Sequence, residues 1–180
     1  DGQPGGVPIE VTAGALVSNL TGPMEFAYRT WTILPDPGMP PAVSGLVSAA
    51  PVPAPAESEF TVGSYNLERF FDDVDDPIGE PVLTPSAFAN RLNKASLAIR
   101  NVMRAPDIVG VEEVENLATL QRLADKINGD SLAAGQPDPA YAAYLQEGND
   151  VGGIDVGFLI KTARVSVVDV TQVGKDATYI

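Results

Sequence analysis

The chain has 180 residues, 44% of them hydrophobic, and its 24 acids against 11 bases leave a net charge of −13. That length supports one good-sized core, or one domain plus part of another, and excludes two large domains. No apolar run approaches the ~20 residues that span a bilayer, the absence of cysteine removes disulfides, thiolate zinc sites and a cysteine nucleophile, and the acidic balance excludes a broad basic footprint for nucleic acid. The sequence therefore reads as a soluble globular protein with no membrane span. No targeting segment is visible, and an opening at Asp1 without Met is expected of a mature chain whose signal has been removed.

Residues 1–8 are rich in Gly and Pro and read as a loop. From Val11 to Leu34 the chain alternates in a loose β pattern around a turn signal at Thr21-Gly22-Pro23. Phe26, Tyr28, Thr30 and Thr32 fall on one face, and Ala27, Arg29, Trp31 and Ile33 on the other. Residues 35–57 are rich in Pro, Ala, Gly and Ser, which favours extended polyproline geometry, so a linker and domain boundary are expected there. The main domain then begins near residue 58.

Phe60 to Phe70 is a β-rich run that carries the polar Asn66 near its end. Four aspartates follow, Asp72, Asp73, Asp75 and Asp76. They lack the glycine and the terminal glutamate of an EF-hand loop and are expected to form a solvated loop anchored by Phe70 and Phe71. Thr84-Pro85 is a helix start, and Phe88, Leu92, Ala95, Ile99 and Val102 recur on one helical face that ends before Pro106. Arg91, Lys94 and Arg100 lie off that face and are expected to serve solubility. Ile108, Val109 and Val111 are a short, mostly β-branched run suited to a central strand, which runs out into Glu112, Glu113 and Glu115.

Those acids admit two readings, a solvated strand-to-helix loop or part of a hard-cation site. Asn116 caps a second helix with Leu117, Leu120, Ala124 and Ile127 inward and a stop at Asn128-Gly129. Tyr141–Gln146 and Ile154–Lys161 read as strands, with Arg164–Val173 as the last. Alternation of strands and helices implies a layered α/β architecture.

Three blocks in order, Ser64-Tyr65-Asn66-Leu67, Pro106-Asp-Ile-Val-Gly-Val-Glu-Glu-Val114 and Gly152 to Lys161, resemble the endonuclease/exonuclease/phosphatase superfamily, the DNase I-like fold, and within it the secreted bacterial nuclease branch. The resemblance covers about residues 58–173. It implies a layered β-sandwich with flanking helices, here as a partial domain, preceded by a β-rich segment (residues 1–34) that is either the end of an OB-like domain or a hairpin packed on the main domain. It also implies an extracellular, metal-dependent phosphodiester hydrolase acting on nucleic acid. The metal ligands and catalytic residues implied are Asn66 and Glu113, with Mg²⁺, Mn²⁺ or Ca²⁺ as the cation. Asp155 and Lys161 are the implied substrate contacts, although Ile160 and Lys161 stand where related enzymes place a Tyr-Arg pair.

An amide oxygen and a carboxylate oxygen are hard donors suited to these ions rather than to zinc. Glu112, as the neighbour of Glu113, is expected to face away, and Glu115 to favour the following helix through its dipole. The chain has no histidine, whereas the family uses histidines, an Asp-x-Asn motif and a Ser-Asp-His motif. These elements are expected beyond Ile180, so that the segment alone is inactive. A scaffold retained for binding, and a phosphodiesterase of lipid or sugar phosphates, are the other readings.

Overall fold

The computed structural model describes residues 9, 11–27, 29–76 and 79–175. The lead-in at residues 1–8, and Tyr28, lie outside them. Two compact units divide between Ala50 and Pro51, within the stretch expected to be a linker.

The first unit holds four short strands, β1 (Leu16–Ser18), β2 (Met24–Ala27), β3 (Thr30–Ile33) and β4 (Ala42–Ser44). They make two antiparallel pairs, β1 with β4 and β2 with β3. The single alternating strand expected across residues 26–33 is thus a hairpin in which Phe26 pairs with Trp31 and Ala27 with Thr30. Arg29 takes the reversal at φ 63°, with no Gly or Asn in the sequence to announce it. The Phe26 and Trp31 rings lie 4.7 Å apart between centroids, yet both stay more than half exposed. No residue described in this unit is fully buried.

The second unit is mixed α/β. Its strands β5 (Val62–Phe70), β6 (Ile108–Val114), β7 (Tyr141–Leu145) and β8 (Asp155–Lys161) form one sheet in the order β5-β6-β8-β7. β5 and β6 are parallel, joined through helix α1 (Pro85–Leu97) and a π-helical turn (Ala98–Val102), while the β6–β8 and β8–β7 pairs are antiparallel. Helix α2 (Leu117–Ala133) connects β6 to β7. Both expected N-caps form, since Thr84 Oγ1 accepts from Ala87 N at 3.2 Å and Asn116 Oδ1 from Thr119 N at 2.8 Å.

The core lies between one sheet face and the two helices. Phe88, Ala95 and Ile99 meet Leu120, Leu123, Ala124 and Ile127 over Val109, Val111, Val114 and Leu159. Gly157 permits the close approach of α2 to β8, because a Cβ there would stand 2.6 Å from Leu120 Cδ2 and 3.0 Å from the Tyr144 carbonyl. The opposite face is open. Val62, Val156 and Phe158 are 68%, 64% and 46% exposed on it, and no second sheet covers it among the described residues of this unit.

Two element expectations need correction. Helix α2 runs past Asn128-Gly129 to Ala133, because the Asn128 side chain bonds both Tyr141 N and Tyr141 O instead of ending the helix, and Gly135 at φ 67° provides the stop. Residues 164–173 form no strand. Val165, Val167, Val168 and Val170 line a groove with Ile108, Tyr144, Phe158 and Ile160 over part of that opposite face, away from any ladder partner.

The start of the parallel pair is fixed by Asp107. Its Oδ2 accepts from Thr61 N at 2.9 Å and Thr61 Oγ1 at 3.2 Å, and its Oδ1 accepts from Arg164 Nε at 3.2 Å. Lys161 Nζ stands 3.8 Å from the same oxygen. Burial opposes ionisation of Asp107, but these donors outweigh it and hold the carboxyl below its ordinary range. A lowered carboxyl pKa contributes stability above the unfolded value of 3.8 that disappears as the pH falls through the folded value. Asp107→Asn should therefore cost about 1–3 kcal/mol in urea unfolding at pH 7, and the gap from wild type should narrow below pH 4. A pH-independent gap would mean that ionisation of Asp107 is not what ties β5 to β6.

Candidate functional site

Asn66 and Glu113 converge where β5 and β6 run out at their carboxyl ends. Both strands depart there from regular pairing. Val109, Val111 and Val114 all enter the core, which places one residue too many between Val111 and Val114. Glu113 absorbs that residue as a bulge, with φ 61° and a register shift between Glu112 and Val114. On β5 the register slips between Asn66 and Phe70, with Glu68 at φ 56° and Arg69 at φ 52°.

These irregularities bring the two side chains together. Asn66 Nδ2 donates to Glu113 Oε1 at 2.9 Å, and Arg69 N donates to Glu113 Oε2 at 3.0 Å. Asn66 Oδ1 accepts from Glu68 N at 2.7 Å, which leaves its second lone pair open. Asn66 is exposed and Glu113 half-buried, so the pair faces solvent with a formal charge of −1. The Asn66 amide nitrogen faces Glu113 while its oxygen turns to Glu68 N, so the two residues offer hard donors of the kind a divalent cation takes, with the amide oxygen directed away from the carboxylate.

Glu112 departs from the expectation that it faces away. It pairs with Asn66 across the ladder and accepts from Ser64 Oγ at 2.8 Å, on the open face. The bulge is the reason, since inserting Glu113 keeps Val114 inward without moving Glu112 off Asn66's side. The sequence signal for this is the spacing of Val109, Val111 and Val114, two residues and then three.

Arg91 also does more than solubilise. Its guanidinium donates to the carbonyls of Arg69 at 2.8 Å and Leu67 at 3.4 Å, and also to that of Glu68, and it lies 5.6 Å from the Phe70 ring centroid. One planar, always-charged fork thereby holds the irregular turn that presents Arg69 N to Glu113. Arg100 is likewise internal, bonding Ser96 Oγ at 3.1 Å and Gln136 Oε1 at 2.7 Å.

Asp155 and Lys161 are not brought together. They stand at opposite ends of β8, about 20 Å apart at ~3.3 Å per residue. Asp155 lies opposite Val114, at the Glu113 end, and accepts from Gly148 N at 2.7 Å. Burial and the neighbouring Asp155 carboxylate push the Glu147 carboxyl up. Lys161 lies at the Asp107 end, where burial lowers its pKa against the pull of that acid. The sheet register thus places Lys161 far from Asn66 and Glu113.

The aspartate run is not simply solvated. Asp72 is buried and accepts from Thr119 Oγ1 at 3.0 Å and Arg122 Nη1 at 3.2 Å, and Arg122 reaches Asp73 at 2.6 Å. The hydrogen bond from Arg122 lowers the Asp73 pKa. Glu115 turns inward beside the first turn of α2. It is buried, and its Oε2 accepts from Asp72 N at 2.7 Å and Thr119 Oγ1 at 3.1 Å. Burial raises its pKa.

Comparison of the chain with protein-family models, with curated proteins and with solved structures gives no match.

Arg91→Met should destabilise the chain by about 1–3 kcal/mol, because three carbonyls lose their donor, and should weaken Mg²⁺ or Mn²⁺ binding at Asn66–Glu113. Lys94→Met, on the exposed side of the same helix, should change neither. Urea unfolding and calorimetric titration measure the two effects. Equal behaviour of the two variants would remove Arg91 from the site's support.

Proposed function

We propose that this chain is the N-terminal part of a metal-dependent phosphodiester hydrolase of the DNase I-like kind, an extracellular nuclease whose remaining catalytic groups lie in a following half-domain. The observation that carries the reading is the 2.9 Å contact between Asn66 and Glu113, two hard-donor side chains presented at the carboxyl ends of adjacent parallel strands. Backbone strain supports it. Three non-glycine residues there, Glu68, Arg69 and Glu113, occupy the left-handed region, at about 1–2 kcal/mol each. The open apolar face supports the partial-domain reading, since a second sheet laid on Val62, Val156 and Phe158 would complete a layered sandwich.

In this reading Glu113 holds Mg²⁺, Mn²⁺ or Ca²⁺ through a carboxylate oxygen, and Asn66 orients it through Oδ1. When bound, the cation polarises a phosphoryl oxygen of the substrate and offsets charge on the leaving oxygen. Arg69 N and Asn66 Nδ2 each occupy one lone pair of Glu113, which fixes the carboxylate plane. The general base belongs to the proposed second half, because the chain contains no histidine. That same fact favours a second reading, a binding protein that keeps the scaffold without turnover.

Nicking of supercoiled plasmid by the longer protein separates the two readings. Metal-dependent nicking should fall by ~100-fold or more in Glu113→Ala, and the 180-residue chain alone should be inactive. Nicking unaffected by Glu113→Ala would contradict the site, and a longer protein that cleaves no phosphodiester would leave the binding reading.

A further inference from the structure

A second group of acids lies on the other side of the β6 terminus. Asp76, Glu80 and Glu115 each bring one carboxylate oxygen within 4.8 Å of the other two, although they come from two separate segments of the chain. Their surroundings do not account for them. Glu115 is 4% exposed, and its Oε2 takes the donors from Asp72 N and Thr119 Oγ1, while its Oε1 is shut from solvent with no hydrogen-bond partner. Both carboxylate oxygens of Glu80 are likewise shut from solvent and without a hydrogen-bond partner among the described residues. Among the described residues no Lys or Arg stands within salt-bridge distance of any of the three, and Arg122 is spent on Asp72 and Asp73.

Buried carboxylate oxygens without donors are costly, and a bound ion is one of the few things that explains them. Three oxygens within 4.8 Å of one another suit a central cation at the ~2.3–2.6 Å of calcium. An all-carboxylate set without nitrogen or sulfur excludes a preference for zinc or copper. Asn116 Nδ2, at the start of α2, already draws Asp76 Oδ2 in at 3.0 Å.

We propose that Asp76, Glu80 and Glu115 form a structural cation site, suited to Ca²⁺, that pins the loop following β5 to the β6–α2 junction. The site shares no residue with Asn66–Glu113 and does not depend on the hydrolase reading. The ion offsets three like charges held in a small volume. Its removal leaves them in repulsion, so neutralising one ligand has opposite effects with and without the ion.

That sign reversal is the test. Thermal unfolding of the 180-residue chain is followed in excess chelator, in CaCl₂ and in MgCl₂, for wild type, Glu80→Gln, Asp76→Asn and Glu113→Gln. Ca²⁺ should raise the wild-type midpoint by several degrees, more than Mg²⁺ does, and a rise should persist in Glu113→Gln, which leaves these three acids intact. In Glu80→Gln and Asp76→Asn the rise should vanish, while Glu80→Gln in chelator should melt above wild type because a buried unpartnered charge is gone. A Ca²⁺ response that survives in Glu80→Gln, no response in wild type, or a Glu80→Gln midpoint below wild type in chelator would each overturn the site. A variant that merely folds badly gives the last of these outcomes, so it cannot pass for support.

Discussion

The second unit depends on one packing constraint at the end of its central strand. Val111 and Val114 must both reach the helix-covered face, and a regular strand cannot do that across two intervening residues. Glu113 is forced out as a bulge, in a backbone conformation that costs about 1–2 kcal/mol for a residue with a Cβ. Burial of Val114, at 0% exposure, and of the helices over it supplies that energy. The consequence is chemical: the bulge presents Glu113 to Asn66 and leaves Glu112 on the same open face.

Charge is handled by placement rather than by balance. A chain at −13 could not bury carboxylates at random, and those that are buried or half-buried have distinct settings. Asp107 is matched by two basic residues and a threonine at the amino end of β6. Asp130 takes Ser96 Oγ at 2.6 Å together with Lys126 and Arg100, and its carboxyl is lowered, with burial opposing these donors and losing. At the carboxyl end of β6 the pattern changes. Asp76, Glu80, Glu113 and Glu115 gather there with few cations beside them. Stability at one end of the strand and unmatched negative charge at the other is the polarity expected of a sheet that holds ligands at its carboxyl edge.

The helices, the four strands of the sheet and both caps were legible because each rests on local periodicity and local side-chain chemistry. Thr84-Pro85 and Asn116 act within three residues of themselves, and the apolar stripe from Phe88 to Ile99 needs no distant partner. The valines at 165–168 carried the same β-branched signal as Ile108–Val111 but found no ladder, because strand formation requires a neighbour that composition does not reveal. Asn128-Gly129 has the chemistry of a helix stop, yet Asn128 met Tyr141 across space and the helix continued. At the site, the block pattern singled out Asn66 and Glu113. The support from Arg91, the inward turn of Glu115 and the separation of Lys161 depend on register between distant segments, so one-dimensional spacing could not show them.

In the proposed site, Asn66 Oδ1 and a Glu113 carboxylate oxygen would ligate one divalent cation. Anomalous scattering from crystals grown with Mn²⁺ tests it most directly. The account predicts a manganese peak at about 2.1 Å from Asn66 Oδ1 and from a Glu113 carboxylate oxygen, absent from crystals of Glu113→Gln. A saturated crystal in which Asn66 and Glu113 bond only each other, with manganese elsewhere, would contradict it.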